Sequence, residues 1–175
     1  MNPVLIFRHI ECEGPGYLAD FLDRQKIPFN MVCIDQNDPI PEQLDNISGL
    51  VLMGGSMSVN DDLPWIEPEL TLIKQAVEKN LPVLGHCLGG QLISKALGGS
   101  ISKNPVKEIG WHQVGQINND QTKIWLASVP TQFEAFHWHG ETFSVPDGAT
   151  PILKSEQCEN QAFCIHNTLA LQCHI

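Results

Sequence analysis

The segment that sets the fold class is Pro82-Val83-Leu84-Gly85-His86-Cys87-Leu88-Gly89-Gly90-Gln91, in which a short apolar run leads into a cysteine flanked by glycines. Such a run is typical of a strand that is buried on both faces. A helical pattern follows over residues 91–97 and stops at Gly98-Gly99. The segment therefore predicts a buried strand, a tight turn and a helix in direct succession.

The chain on the N-terminal side repeats this alternation. Apolar runs at residues 4–7, 29–34 and 49–53 alternate with segments whose apolar residues have helical spacing, as at Leu70, Ile73 and Val77. Strands that alternate with helices indicate βαβ units and a parallel sheet with helices on both faces. Ligand sites of such sheets lie beyond the carboxyl ends of the strands.

The C-terminal half has a different pattern, with short strands and short turns. We predict strands at residues 111–117, 123–126, 135–139, 151–154, 161–166 and 169–174. They predict an antiparallel addition to the parallel sheet. The expected fold is a flavodoxin-like three-layer α/β/α structure, with a mostly parallel sheet and antiparallel strands in the second half, in one domain over residues 1–175.

Composition excludes several classes of protein. The 175 residues are 42% hydrophobic and 17% charged, which is ordinary for one globular domain. A net charge of −10 argues against nucleic acid and against anionic membrane surfaces as partners. The six cysteines have no zinc-ribbon or CxxC spacing, and no signal peptide is recognisable. We therefore expect a cytoplasmic protein with reduced thiols.

The glycine-flanked cysteine resembles a nucleophile elbow. A tight strand-to-helix turn would expose the Cys87 sulfur at the sheet edge, next to a helix N-terminus whose dipole favours thiolate over thiol. The alternative interpretation is that Cys87 is a small apolar residue at a glycine-rich turn.

Five segments together carry a resemblance to a known family. Residues 85–91 (GHCLGGQ) resemble the nucleophile motif of class I, triad-type glutamine amidotransferases, and residues 52–59 (LMGGSMSV) resemble the oxyanion loop of that family. Residues 108–111 (EIGW) and 136–146 (FHWHGETFSVP) resemble segments of its GMP-synthetase-like subgroup. Residues 169–174 (LALQCH) resemble the strand that delivers the catalytic histidine. The motifs follow the order of the family and cover nearly the whole chain.

The resemblance implies a mechanism in which Cys87 attacks the side-chain amide of L-glutamine and His174 is the general acid and base. A γ-glutamyl thioester forms, ammonia leaves, and water then releases glutamate. The oxyanion would be bound by the backbone N–H groups of Gly55 and Leu88. The expected substrate-binding residues are Gly54, Gln91, Trp138 and His139.

The sequence departs from the family at the third member of the triad. The family has a glutamate two residues after the histidine, whereas this chain ends at Ile175. We expect the chain to be a fragment that ends shortly after the catalytic histidine, and we expect its turnover to be weak or absent. The alternative is a naturally short form with impaired catalysis.

His137 and His139 form a His-x-His pattern, and residues i and i+2 of a strand share a face. Since the sequence places no carboxylate or thiol clearly beside them, we expect strand or substrate-loop roles and no metal. No cofactor is expected, and no P-loop pattern is present. An ammonia acceptor, if there is one, would be a separate synthetase or other enzyme. The alternatives are a γ-glutamyl hydrolase of the same fold and a non-catalytic interaction or regulatory module.

Overall fold

The computed structural model describes residues 1–174, which form one nine-stranded sheet with helices packed against it. The strands are β1 (Val4–Arg8), β2 (Phe29–Cys33), β3 (Gly49–Leu52), β4 (Val83–His86), β5 (Ile101–Gln116), β6 (Gln132–Phe143), β7 (Thr150–Ser155), β8 (Ala162–Ile165) and β9 (Thr168–Leu171). The helices are α1 (Gly16–Arg24), α2 (Ile66–Glu78), α3 (Leu88–Ala96) and α4 (Asp120–Trp125), and a 3₁₀ turn covers Ile34–Gln36.

The sheet has a parallel half and an antiparallel half, in the order β2-β1-β3-β4-β9-β8-β7-β5-β6. The pairs from β2 to β9 are parallel, and the pairs from β9 to β6 are antiparallel. Strand β9 therefore joins the two halves and lies directly beside β4. The predicted mixed α/β fold is confirmed.

The apolar run of β1 is buried because helices cover both faces of the parallel half. Leu5 and Phe7 belong to the largest apolar cluster, which contains residues of α2 and α3. Ile6 points the other way and packs with Leu22 of α1. Because side chains alternate along the strand, this one short strand packs against helices on both faces of the sheet. None of the described helices is long and apolar enough to cross a membrane.

The predicted strand at residues 123–126 is wrong, because this segment lies in and just after α4. Asn119 caps that helix, since its side-chain oxygen accepts a hydrogen bond from the Thr122 N–H at 2.9 Å. The signal for this cap, an asparagine followed by Asp120 in the first turn, is present in the sequence.

The antiparallel half begins earlier than predicted, since β5 already starts at Ile101. The register of β5 with β6 shifts between Lys103 and Glu108. This irregularity separates a short first part of β5, near α3, from the long ribbon that follows.

Candidate active site

Cys87 occupies a strained turn between β4 and α3. Its backbone has φ +50° and ψ −107°, an unfavourable region for a residue with a side chain. The Cys87 N–H donates to the carbonyl of Leu171 at 2.8 Å, which ties the turn to the adjacent strand β9. The predicted strand, turn and helix are therefore confirmed, with the cysteine at the apex of the turn.

The glycines around Cys87 are required by close backbone contacts. A Cβ on Gly89 would overlap the carbonyl oxygen of Leu52 in β3 and lie 2.6 Å from its carbonyl carbon. A Cβ on Gly85 would lie 2.5 Å from the backbone of Gly89. Helix α3 can therefore begin directly against the sheet only because both positions lack a side chain.

His174 lies just beyond β9, and the neighbouring strand β4 ends just before Cys87. The two parallel strands pair up to the register of His86 with Leu171, so both residues follow the carboxyl ends of adjacent strands. The His174 N–H donates to the Phe136 carbonyl at 2.8 Å, and the two rings meet edge to face with centroids 6.0 Å apart. The Nε2 atom of His174 is buried without a hydrogen-bond partner among the described residues.

The resting protonation states differ from the expectation at Cys87. Burial, together with the Glu13 carboxylate, raises the pKa of the Cys87 thiol to about 12 against the lowering effect of the Leu88 backbone N–H. Burial lowers the pKa of His174, and the charge of His139 adds to this effect. The effect of burial on the pKa of Cys87 is therefore larger than that of the helix N-terminus, and the thiol keeps its proton at neutral pH. His174 is neutral at this pH, as a proton acceptor must be.

Gly54 and Gly55 follow β3 and contact the start of α3. A Cβ on Gly55 would lie 2.7 Å from Leu88 Cδ2 and 3.1 Å from the Cβ of His9. Leu88 is the first residue of α3, so its N–H has no acceptor one turn earlier in the helix. The structure thus brings the two predicted oxyanion donors to adjoining segments.

His9, which the sequence analysis missed, fixes the base of this loop. Its Nδ1 donates to the Met53 carbonyl at 3.0 Å, immediately before Gly54, and its Nε2 lies 3.1 Å from Glu69 Oε2 of α2. The side chains of His9 and Glu69 are fully buried. A histidine at the end of a strand gives no pattern in the sequence that would reveal such a partner.

Gln91 lies one turn along α3 and is tied to protein acceptors. Its Nε2 donates to the Glu141 carbonyl at 3.2 Å and to Gln172 Oε1 at 3.1 Å. Gln172 in turn directs its own Nε2 at the Cys87 sulfur, 3.8 Å away. Gln91 therefore lines the cavity with its amide nitrogen already engaged, and Gln172 is a neighbour of the sulfur that the sequence analysis missed.

Trp138 and His139 contribute different parts of their structure to this wall. The Trp138 carbonyl lies 3.9 Å from the Cys87 sulfur, whereas the residue as a whole is 67% exposed. The His139 ring is buried, donates from Nδ1 to the Glu141 carbonyl at 3.0 Å, and places Nε2 2.9 Å from Glu108 Oε2. Only the backbone of Trp138 faces the nucleophile.

Glu108 completes a buried cluster with both histidines of the His-x-His pattern. The expectation that no carboxylate would accompany them is wrong, because β5 pairs with β6 and places Glu108 opposite His139. Both Glu108 oxygens are occupied: Ser155 Oγ donates to Oε1 and Gln161 Nε2 donates to Oε2, each at 2.6 Å. In this arrangement the Glu108 carboxylate accepts hydrogen bonds from β7 and from the β7–β8 turn and lies beside both histidines.

Five of the eight predicted site residues line one cavity of about 840 Å³, whereas His174, Leu88 and Gly54 are not among its lining residues. Its lining includes Gly55, Cys87, Gln91, Trp138 and His139. Gly54 lies directly behind this lining, where a Cβ would meet Glu13 and His174. The cavity lies beyond the carboxyl ends of β1, β3 and β4, as expected for an α/β sheet.

The family model for class-I glutamine amidotransferases matches residues 18–174. The chain belongs to that family. The glutamine amidotransferase-like protein YfeJ of Salmonella typhimurium is 31% identical over 173 residues, which cover 95% of this chain and 72% of YfeJ. The crystal structure of a glutamine amidotransferase from Methylobacillus flagellatus superposes with a TM-score of 0.96 at 45% identity, covering 99% of this chain and 70% of that protein.

A further relative of the chain is one subunit of the glutamine-hydrolysing GMP synthase from Thermoplasma acidophilum. It is 28% identical over 128 residues, which cover 73% of this chain and 61% of that relative. The chain thus spans between three fifths and three quarters of the length of these relatives. The glutamate that the resemblance would place after His174 falls outside the described residues.

Proposed function

We propose that this protein is a glutaminase-type amidotransferase domain that hydrolyses the side-chain amide of L-glutamine. The observation that carries the proposal is the position of Cys87 at a strained strand-to-helix turn, beside the strand that leads to His174 and inside the cavity. This arrangement matches the requirement of acyl transfer for a nucleophile, a base and oxyanion donors in one place.

In the proposed mechanism the neutral His174 imidazole accepts the Cys87 proton as the sulfur attacks the amide carbon. The resulting oxyanion is bound by the N–H groups of Gly55 and Leu88, whose segments adjoin in the structure. The C–N bond then breaks, and the imidazolium of His174 returns the proton to the leaving ammonia. Water hydrolyses the γ-glutamyl thioester, which yields glutamate and restores the thiol.

Substrate contacts in this proposal come from Gly54, Gln91, Trp138 and His139. Gly54 has no side chain, which leaves space beside Glu13 and His174. The Trp138 carbonyl is the group that lies near the Cys87 sulfur. Contacts with Glu108 and with the Glu141 carbonyl fix the orientation of the His139 ring in the cavity wall. The side-chain oxygen of Gln91 is available to a ligand, whereas its side-chain nitrogen already donates to two protein acceptors.

The ammonia acceptor would be a separate synthetase or other enzyme. Support comes from the relative that is named as one subunit of GMP synthase, since that name implies a second one. All six cysteines are free thiols, which is consistent with action in the reducing cytoplasm.

Labelling with 6-diazo-5-oxo-norleucine, a glutamine-like electrophile, followed by intact-mass spectrometry tests the proposal. We expect one adduct, which disappears in Cys87→Ser. Cys12→Ser is the matched control, because Cys12 is an exposed free thiol that lines the same cavity. An adduct that persists in Cys87→Ser and disappears in Cys12→Ser would contradict the assignment of the nucleophile.

A γ-glutamyl hydrolase is the second candidate, and the size of the cavity favours it. A volume of about 840 Å³ lies in the upper part of the range of about 300–1,000 Å³ that is usual for pockets of drug-sized ligands, so the cavity has room for a substrate larger than glutamine. Release of glutamate from glutamine and from γ-glutamyl dipeptides, measured side by side, separates the two. Faster release from the dipeptides would favour the hydrolase.

A further inference from the structure

A carboxylate that the proposed mechanism does not use lies among the proposed catalytic groups. Glu13, on the loop between β1 and α1, lines the same cavity as Cys87. Its Oε2 atom lies against Gly54, where a Cβ would overlap it and would lie 3.4 Å from His174 Cε1. The glycine at position 54 is therefore what makes room for the Glu13 carboxylate beside the histidine.

The Glu13 carboxylate has no cationic partner within residues 1–174. It takes part in none of the ion pairs of this part of the chain. Burial raises the pKa of Glu13 by more than the nearby His9 lowers it, so its surroundings compensate the charge only in part. Glu141, a carboxylate of the same cavity, differs because Ser58 Oγ donates to it at 2.7 Å. A half-buried carboxylate without a partner gains most from a cation that the ligand brings.

The opposite charge is present elsewhere in the cavity lining. Lys103 and Lys107 of β5 contribute to it, and the Lys107 stem packs on Gly140, with its Cε 3.2 Å from where a Cβ would lie. Neither lysine is part of an ion pair among the described residues. The cavity therefore offers one carboxylate close to the nucleophile and two ammonium groups on β5, a charge pattern complementary to the ammonium and carboxylate of an α-amino acid.

The position of Glu13 also has an electrostatic consequence for the sulfur. Its negative charge adds to burial in raising the pKa of Cys87. A cation bound by Glu13 would cancel this effect, so the thiolate would form more readily once the ligand is in place. An α-ammonium group lies only a few bonds from the amide carbon of glutamine, so one molecule can reach both Glu13 and Cys87.

We propose that the Glu13 carboxylate is the binding residue for the α-ammonium group of the amide substrate, and that it restricts the site to γ-amides that carry a free α-amino group. This inference rests on the proposed function. It assigns to Glu13 a role in substrate specificity, and it makes the substrate itself neutralise the charge that opposes ionisation of Cys87.

The first test measures equilibrium binding by calorimetry in the Cys87→Ala background, so that no turnover is needed. The ligands are glutamine and glutaric acid monoamide, which is glutamine without its α-amino group. We expect Glu13→Gln to weaken glutamine binding about 10-fold or more, as for loss of a charge-assisted hydrogen bond, and to leave binding of the monoamide within about twofold. Glu13→Asp, which keeps the charge, should retain part of the glutamine affinity and guards against a folding defect.

Glu11→Gln is the matched control, because Glu11 is an exposed acid on the same loop and is not part of the cavity lining. We expect it to bind both ligands as the parent does. The second test is the alkylation rate of Cys87 by iodoacetamide without ligand, followed by peptide mass spectrometry. Glu13→Gln should increase this rate severalfold, since a negative charge near the sulfur is removed.

Equal glutamine affinity in Glu13→Gln and its parent would overturn the inference, whether or not Cys87 is labelled by the diazo compound. A similar loss of affinity for both ligands would also overturn it, because the contact would then not involve the α-amino group. If glutamine binds neither protein and the diazo compound gives no adduct, the proposed function and the inference fail together. Labelling of Cys87 with unchanged affinity in Glu13→Gln would remove the inference alone.

Discussion

Two buried histidine–glutamate contacts lie near the cavity, one in each half of the sheet, and the pKa values of their carboxylates are shifted in opposite directions. Glu69 contacts His9 behind the loop of Gly54 and Gly55, and burial raises the pKa of Glu69 despite that contact. Burial alone would also raise the pKa of Glu108, but His139, Ser155 and the charge of His137 together lower it. The number of donors around a buried carboxylate therefore decides its charge.

The two histidine–glutamate contacts also have different structural roles. On the parallel side, His9 joins the end of β1 to α2 and holds a carbonyl of the loop that would supply an oxyanion donor. On the antiparallel side, Glu108 holds the His139 side chain and two further polar groups that connect β5, β6, β7 and the β7–β8 turn. The first contact shapes a loop, whereas the second stabilises a wall built from several strands.

The largest effect is expected from Glu108→Ala. It removes the common acceptor of Ser155 and Gln161 and the carboxylate that lies beside His139 Nε2, so we expect a loss of about 3–5 kcal/mol in the free energy of unfolding. Urea unfolding measures this loss. Glu134→Ala is the control, because Glu134 is an exposed acid on β6, and we expect a change of less than about 0.5 kcal/mol. Equal losses in both variants would contradict the importance of the cluster.

His9→Ala is expected to cost less stability, about 2–3 kcal/mol, because Glu69 can bind a proton when its partner is lost. Its main effect should be on catalysis, since the Met53 carbonyl is released next to Gly54. We expect kcat for glutamine hydrolysis to fall about 100-fold, with a smaller change in KM. His166→Asn, at an exposed turn with positive φ, should change neither. A normal kcat in His9→Ala would show that His9 does not position the oxyanion loop.

The pH dependence of stability should distinguish Glu69 from Glu108. For Glu69 the folded-state pKa is raised, so its contribution is present below the ordinary value of 4.5 and is lost as the pH rises through the folded-state pKa. For Glu108 the folded-state pKa is lowered, so its contribution is present above 4.5 and is lost as the pH falls. Thermal unfolding of Glu69→Gln and Glu108→Gln across pH 3–8 should therefore show differences from the parent with opposite slopes. Parallel slopes would show that the two carboxylates are equivalent.

The smallest effect is expected from Trp138→Ala. The indole is exposed and only the backbone carbonyl lies near Cys87, so stability should change by less than about 0.5 kcal/mol and KM for glutamine by less than about threefold. Unfolding and steady-state kinetics measure both. A large increase in KM would mean that the indole closes over the bound substrate.

The sequence predicted the parallel half well because its signals are local. Residues 82–91 contain the whole unit of strand, turn and helix, and the apolar runs of β1 and β3 are bounded by polar or glycine residues. The error at residues 123–126 has a local cause as well. Ile124, Trp125 and Leu126 are apolar, but the Asn119 cap makes the segment helical.

The sequence also predicted which residues to consider for the site, and it missed the residues that hold them. Cys87, Gln91 and His139 lie in motifs, whereas His9 and Glu13 lie in segments with no recognisable pattern, and Gln172 lies in the LALQCH motif but received no role there. Their importance arises from contacts between β1, α2 and β9 that are far apart along the chain. No spacing rule describes such contacts.

The alternation of strands and helices, the tight turn at Cys87 and the family can all be read from the sequence, because each depends on short segments or on motifs in order. The protonation of the site depends on the tertiary structure instead. Burial raises the pKa of Cys87 and lowers that of His174, and burial depends on all the elements packed around them. The same holds for Glu69 and Glu108, since the donors that surround a buried carboxylate come from strands and helices that meet only in the fold.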